Sequence, residues 1–194
     1  MRAFWTPPPK GSRFKVIFKK IMKYDYKTLY QKNAEFFTRR KNAVAILRAL
    51  NVILTCSFFV AYALFLWHAI AKDFYAEELV FIIGAPILCF FLSFVLRAAV
   101  ARPRPYDEAG AQIEPLLRKK SKDKKSFPSR HLACSFVIAT VLLHYLVGAG
   151  ICLLLFGCVL GYLRFTLGLH YPSDLFAGSA LGVLCAIFCG AIFL

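Results

Sequence analysis

Charge is missing from four long stretches of this chain. Residues 49–71, 79–96, 132–163 and 175–194 carry no Asp, Glu, Lys or Arg, and their only histidines are His68 and His144. A helix crossing the hydrocarbon core of a bilayer needs roughly 20 mainly apolar residues. The 132–163 run is long enough for two short spans, with Gly148-Ala149-Gly150 as the natural turn between them. The pattern predicts five spans, near residues 46–70, 77–99, 130–147, 151–167 and 174–194, and so an all-α polytopic membrane helix bundle. Soluble helical proteins also bury apolar helices, but four such runs within 194 residues exceed what one soluble core requires.

Ahead of the spans the period changes. Residues 1–11 include Pro7-Pro8-Pro9 and read as an extended tail. From Ser12 to about Lys27, Phe14, Ile17, Phe18 and Ile21 recur at i, i+3, i+4 and i+7, with Lys15, Lys19, Lys20 and Lys23 on other faces. A helix lying in the head-group layer has this make-up; so does one packed on another protein surface. The chain divides into a basic N-terminal arm, 1–42, and a membrane-embedded domain, 43–194. The first apolar run begins too far from Met1, behind too long a basic segment, for a cleavable leader to be expected.

Composition agrees with a membrane protein. The chain is 59% hydrophobic and 16% aromatic, with a mean hydropathy of +0.60, above the soluble norm. All seven cysteines fall inside the apolar runs, where free cysteine acts as a small hydrophobe. Neither a disulfide framework nor a metal site is expected of them. A net charge of +15 raises nucleic acid as a partner, yet no nucleic-acid motif is present. Attraction to anionic lipid head groups explains the excess more simply. The basic run from Arg118 to Lys125 is either a solvated loop or a collector of such lipids.

With five spans, the N-terminus, the 100–130 loop and the 164–174 turn share one side. Of 25 Lys and Arg residues, only Lys72 falls on the other. The positive-inside rule then turns the basic side to the cytoplasmic face of a cell membrane. One span more or fewer before residue 97 would reverse that side.

Three short blocks at span ends carry the candidate chemistry: R-A-A-V-A-R-P-R-P at 97–105, P-S-R-H at 128–131 and R-F-T-L-G-L-H-Y-P-S-D at 164–174. A guanidinium is always charged and its planar fork matches two phosphate oxygens. Arg97 and Arg104 close the second span, where Pro103 and Pro105 break the helix and turn Arg104 toward a pocket. A lone arginine there would simply snorkel to the interface. Ser129 suits an N-cap, and the amides after it form an anion-binding helix start; the serine can equally do no more than cap. His131 stands at the mouth of an apolar span, which has little use for a titratable ring. His170 and Asp174 lie at i, i+4, so the carboxylate can accept from one ring nitrogen and leave the other free to attack phosphorus. Such a pair can also be a structural tie, and His68 and His144 show that histidine alone proves nothing. Of ten acidic residues, only Asp107, Glu108 and Asp174 lie near the blocks. Two-metal catalysis needs several converging carboxylates, so no metal or other cofactor is expected, and arginines would neutralise the phosphate instead.

Together the blocks resemble the type 2 phosphatidic acid phosphatases, which share a core with vanadium haloperoxidases and glucose-6-phosphatase. The family pattern K-x6-R-P, P-S-G-H and S-R-x5-H-x3-D reads here as Arg97 to Pro105, Pro128 to His131 and Leu163 to Asp174. The match runs from about residue 50 to the C-terminus and suits a membrane-bound bacterial member. Arg97 stands for lysine and keeps the charge; Arg130 stands for glycine, whose amide survives; Leu163 stands for serine and removes a hydroxyl. The resemblance implies that His170 attacks phosphorus to form a phosphohistidine, that Asp174 orients it, and that His131 protonates the leaving alkoxide. It also implies that Arg97, Arg104, Ser129, Arg130 and Arg164 hold the phosphoryl oxygens. The function expected is hydrolysis of a lipid phosphate monoester, phosphatidic acid or phosphatidylglycerol phosphate in type. An undecaprenyl (polyprenyl) diphosphate phosphatase and a non-catalytic phospholipid-binding membrane protein are the alternatives.

Overall fold

A computed structural model describes residues 26–107, 113–117 and 125–194. The expected interfacial helix at 12–27 falls outside them except for its last two residues, as does all but Lys125 of the basic run 118–125. Six helices make up the described residues: α1 (Tyr26–Thr38), α2 (Ala43–Ala71), α3 (Ala76–Val100), α4 (Arg130–Tyr145), α5 (Val147–Thr166) and α6 (Pro172–Phe193). Helices α2, α3, α5 and α6 are long and apolar enough to cross a membrane. The fold is thus a polytopic helical membrane bundle.

The third expected span is a shorter element. Helix α4 has 16 residues, about 24 Å at 1.5 Å per residue. It forms the centre of the bundle, packed by α2, α3, α5 and α6, with Leu132, Ala133, Val137, Ile138, Val141 and Leu142 buried along it. Protein rather than lipid surrounds it, so bilayer thickness does not set its length. The expected turn at Gly148–Gly150 is also displaced. The chain breaks at Leu146, whose φ of −131° and ψ of 78° leave the helical region, and both glycines sit in the first turn of α5. Gly150 faces the backbone of Leu143 too closely for any side chain, so it serves helix contact rather than a turn.

Outward-facing side chains are as apolar as the core. Leu64, Phe91, Phe94, Leu155 and Leu184 are all exposed, as a bundle solvated by lipid requires. Helix α3 starts with a capping box, Glu78 accepting from the Tyr75 amide at 3.0 Å. It ends at Ala101 in the left-handed region, φ 46°, which turns the chain back over the bundle.

The hydrophobic pattern gave no sign of α1. Its Tyr30 hydroxyl donates to the Glu114 carbonyl at 2.8 Å and accepts from the Leu116 amide at 3.1 Å. Asn33 donates to Thr166 Oγ1 at 2.8 Å and accepts from the Tyr162 hydroxyl at 3.1 Å. These bonds pin α1 across the end of α5 and the 113–117 segment, at the end of the bundle where the three blocks meet.

Candidate active site

The proline-bearing segment after α3 lies beside the segment before α4. Pro103 and Lys125 form an antiparallel bridge, the Ser126 amide donates to the Arg102 carbonyl at 2.8 Å, and the Ser126 hydroxyl donates to the Pro103 carbonyl at 2.9 Å. The first two blocks are thereby joined. The third is joined by His170, whose Nδ1 lies 3.0 Å from the Ser126 carbonyl, and by the Ser129 amide, which donates to the Asp174 carbonyl at 2.9 Å.

Gly178 makes the last contact possible. A Cβ on it would sit 2.5 Å from the Ser129 carbonyl oxygen, so only glycine lets α6 approach the start of α4 this closely.

His170 is almost completely buried. A carbonyl can only accept, so Nδ1 carries the proton in that bond and Nε2 keeps its lone pair. Burial, reinforced by the Arg164 and Arg104 charges and opposed by Asp174, pulls the imidazole pKa down to about 4. The ring is therefore neutral near pH 7.

Asp174 is fully buried and stands within ion-pair range of His170, at a longer distance than a direct hydrogen bond. Its Oδ1 accepts from Arg102 at 2.9 Å and its Oδ2 from the Tyr171 amide at 3.0 Å, which leaves Nδ1 of His170 3.8 Å away. Each oxygen thus accepts one hydrogen bond, that to Oδ2 belonging to the capping box of α6. The Ser126 carbonyl takes the nearer place on the ring.

The arginines divide into two kinds. Arg97, buried in the last turn of α3, donates to the carbonyls of Pro128 at 2.8 Å and Ser126 at 3.4 Å, and also to that of Lys125. It pins the segment that carries Ser129. Arg104 and Arg164 are buried too, yet the Nε of each has no hydrogen-bond partner among the described residues. Both charges act on His170. Like-charged guanidiniums buried beside a neutral ring, with the nearby carboxylate bound to Arg102, form a site suited to an anion.

Ser129 is the N-cap residue of α4 by position, but its buried hydroxyl makes no capping bond and has no partner among the described residues. Arg130 and His131, both half-buried, line a cavity of about 200 Å³ with Thr55, Phe59, Phe90 and Cys134 among its other walls. Thr55 also accepts from Arg164 at 3.4 Å, which ties the cavity to the buried arginines. An apolar groove of about 720 Å³ between α2 and α3, floored by α4, adjoins it and shares Phe59, Phe90, Cys134 and Ile138. Leu163, where the resemblance expects serine, packs with Leu47, Leu167 and Leu169 and serves the seat of α2.

Sequence reasoning missed Arg102, Ser126, Tyr171 and Tyr26. Arg102 lies inside the first block, and the signal for it was Asp174 itself: a carboxylate that close to a membrane interior needs a cation.

Comparison with known proteins follows the same outline. The model of the PAP2 superfamily matches residues 78–193, and the chain belongs to that superfamily. A stretch of 123 residues is 31% identical to lipid phosphate phosphatase 1 of Arabidopsis thaliana, covering 48% of this chain and 38% of that longer protein. The solved structure of Aquifex aeolicus LpxE superposes with a TM-score of 0.59 at 27% identity, over 84% of this chain and 93% of LpxE. That of a transmembrane PAP2-type phosphatidylglycerolphosphate phosphatase from Bacillus subtilis gives 0.59 at 19% identity, over 92% of each chain.

Proposed function

We propose that this protein hydrolyses a phosphate monoester of a membrane lipid, of the phosphatidic acid or phosphatidylglycerol phosphate type, through a phosphohistidine on His170. The observation that carries this reading is the pair of buried, partnerless guanidinium Nε groups of Arg104 and Arg164 beside a neutral imidazole. The plant relative's name, lipid phosphate phosphatase, supports the substrate class, and the apolar groove adjoining the His131 cavity offers hydrocarbon a place.

In this mechanism Nε2 of His170 bonds to phosphorus as the bond from phosphorus to the lipid oxygen breaks. His131 gives its proton to the departing alkoxide, a contribution worth about 10²–10⁴ in rate. Water then attacks the phosphohistidine while His131 recovers a proton from it, and phosphate leaves as the P–N bond breaks. Arg104, Arg164, Ser129 and the amides that open α4 hold the equatorial oxygens, Arg130 borders their cavity, and Arg97 fixes the segment that supplies them. Preorganised donors of this sort contribute on the order of 10²–10³ each. No step calls for a metal, and the carboxylate beside His170 is committed to Arg102. The excess of Lys and Arg on the site's side of the bundle supports a cytoplasmic orientation in a cell membrane.

The test is phosphate release by purified full-length protein from phosphatidic acid, phosphatidylglycerol phosphate and undecaprenyl diphosphate in mixed micelles. Turnover of a monoester, abolished in His170→Ala, is expected, with an alkali-stable phosphate label trapped on the wild-type protein alone. Preference for the diphosphate would move the assignment to carrier-lipid recycling. Inertness toward all three would favour a binding protein.

A further inference from the structure

Helix α1 lies outside the residues matched by the superfamily model, and its two sides do different work. The inner side fastens it to the bundle. Tyr26 meets the Tyr171 ring with centroids 4.8 Å apart and packs on Phe165, while Tyr30 and Asn33 bond to the 113–117 segment and to α5. Tyr30 also lies against Gly168, where φ is 75° and a Cβ would meet the Tyr30 hydroxyl at 3.0 Å. The outer side is exposed and mixes two chemistries. Leu29, Lys32 and Phe36 follow one another along one strip of the helix, at i, i+3 and i+7, and all three are exposed, as are Arg39 and Arg40 beyond them. Lys32, Glu35, Phe36, Arg39 and Arg40 line an open cleft of about 460 Å³. The guanidinium carbon of Arg40 stands 3.5 Å from the Phe36 ring centroid, and its Nη1 donates to the Phe36 carbonyl at 3.1 Å, so this cation is fixed at the wall of the cleft. Glu35, the only acid in α1, is bound by Arg39 at 2.8 Å. Three cations against one carboxylate leave the cleft positive.

We propose that the outer face of α1 is a docking surface for an anionic phospholipid of the surrounding bilayer, its phosphate seated among Lys32, Arg39 and Arg40 and its hydrocarbon lying along Phe36 and Leu29. The chain itself sets the level of this face. Only four residues separate Thr38, the end of α1, from Ala43, where the long apolar helix α2 begins, so α1 stays where α2 leaves the hydrocarbon. Exposed Ile46 and Leu50 carry the apolar surface onward into α2. An apolar edge beside a basic cleft matches a ligand with a charged head and a hydrocarbon tail; a free anion has no use for the edge. Each cation near an anionic membrane surface strengthens attachment about fivefold. The occupant is a second lipid, not the substrate, and its binding is independent of the proposed reaction. Its effect reaches the site through the inner side of the helix: a lipid that holds α1 down also holds Tyr26 on Tyr171 and Tyr30 on Gly168, the residues that flank His170.

The experiment has two readouts on the full-length protein. Native mass spectrometry measures retention of phosphatidylglycerol against phosphatidylcholine when both are offered equally. Turnover of phosphatidic acid, held at a fixed fraction in phosphatidylcholine vesicles, is measured with and without added phosphatidylglycerol. The wild-type protein should retain phosphatidylglycerol preferentially and be activated by it. In the triple variant Lys32→Gln/Arg39→Gln/Arg40→Gln the preference should fall at least about tenfold and the activation should vanish, while turnover in vesicles without phosphatidylglycerol stays at the wild-type level. Lys72→Gln, at the other end of α2, should keep both properties, and raised salt should move the wild type toward the triple variant. An unchanged preference in the triple variant would place the anion site elsewhere and overturn the inference. Inorganic phosphate that displaces phosphatidylglycerol at equal concentration would make the cleft a site for a free anion and overturn it too, as would equal loss of turnover with and without phosphatidylglycerol, which marks a packing face or a seat for protein. If the triple variant fails to fold, Lys32→Gln/Arg40→Gln, which spares the Glu35–Arg39 pair, carries the same decision. Should the protein turn over no lipid phosphate, the retention ratio still decides, so failure of the proposed function and failure of this docking surface are told apart.

Discussion

The carbonyl of Ser126 lies 3.0 Å from Nδ1 of His170, closer than the carboxylate of Asp174 at 3.8 Å. A neutral backbone acceptor is thus the nearer partner of Nδ1, with the acid in ion-pair range beside it. In serine hydrolases, changing the orienting aspartate to asparagine costs about 10⁴ because the ring takes the wrong tautomer. Asp174→Asn should cost less, about a hundredfold in kcat, because Ser126 still selects the tautomer. Steady-state kinetics on phosphatidic acid beside His170→Ala checks this; a loss equal to that of His170→Ala would return the orienting role to Asp174.

Acid should destabilise the fold through the same ring. The folded-state pKa of His170 lies at about 4, below the ordinary value near 6.5. Between these values the unfolded chain binds the proton and the folded chain does not, so stability is lost as pH falls from about 6.5 to 4. Thermal melting in detergent should show this decline, and His170→Ala should flatten it.

Gly178→Ala places a methyl group against the Ser129 carbonyl, with backbone on both sides. The expected outcome is a loss of about 1–3 kcal/mol together with impaired turnover, since the same contact joins Ser129 to Asp174. Melting temperature and activity measured on one preparation should fall together.

Vanadate, which mimics five-coordinate phosphorus, should inhibit at or below low millimolar concentration. Ser129→Ala should weaken that inhibition while leaving the melting temperature nearly unchanged, because the hydroxyl has no hydrogen-bond partner among the described residues. An unchanged inhibition constant would remove Ser129 from the oxyanion contacts.

The helices were legible because a membrane imposes one rule, continuous apolar length, and α2, α3, α5 and α6 obey it. Helix α4 obeyed a different rule, burial by neighbours, so its length and the break at Leu146 were misjudged. Helix α1 was invisible because Tyr26, Tyr30 and Asn33 act through a few hydrogen bonds and ring contacts that leave no apolar period. At the site, the motif residues reached one end of the bundle, as their placement at span ends required. The pairing within that set was not legible. Spacing placed Asp174 beside His170, where it stands at 3.8 Å, but left no sign that the same carboxylate also caps α6 and bonds an arginine 72 positions away.

The cavity lined by Arg130 and His131 also touches Thr55, roughly three turns into α2 and about 18 Å along its axis. On the proposed function, a head group bound there would keep its tails against the apolar groove between α2 and α3 instead of rising into solvent. Extraction of a lipid into water would forfeit about 0.8 kcal/mol for every methylene exposed. On that reading, chemistry placed beside the apolar helices avoids that loss, and lateral diffusion within the leaflet, rather than escape from it, would deliver each new molecule.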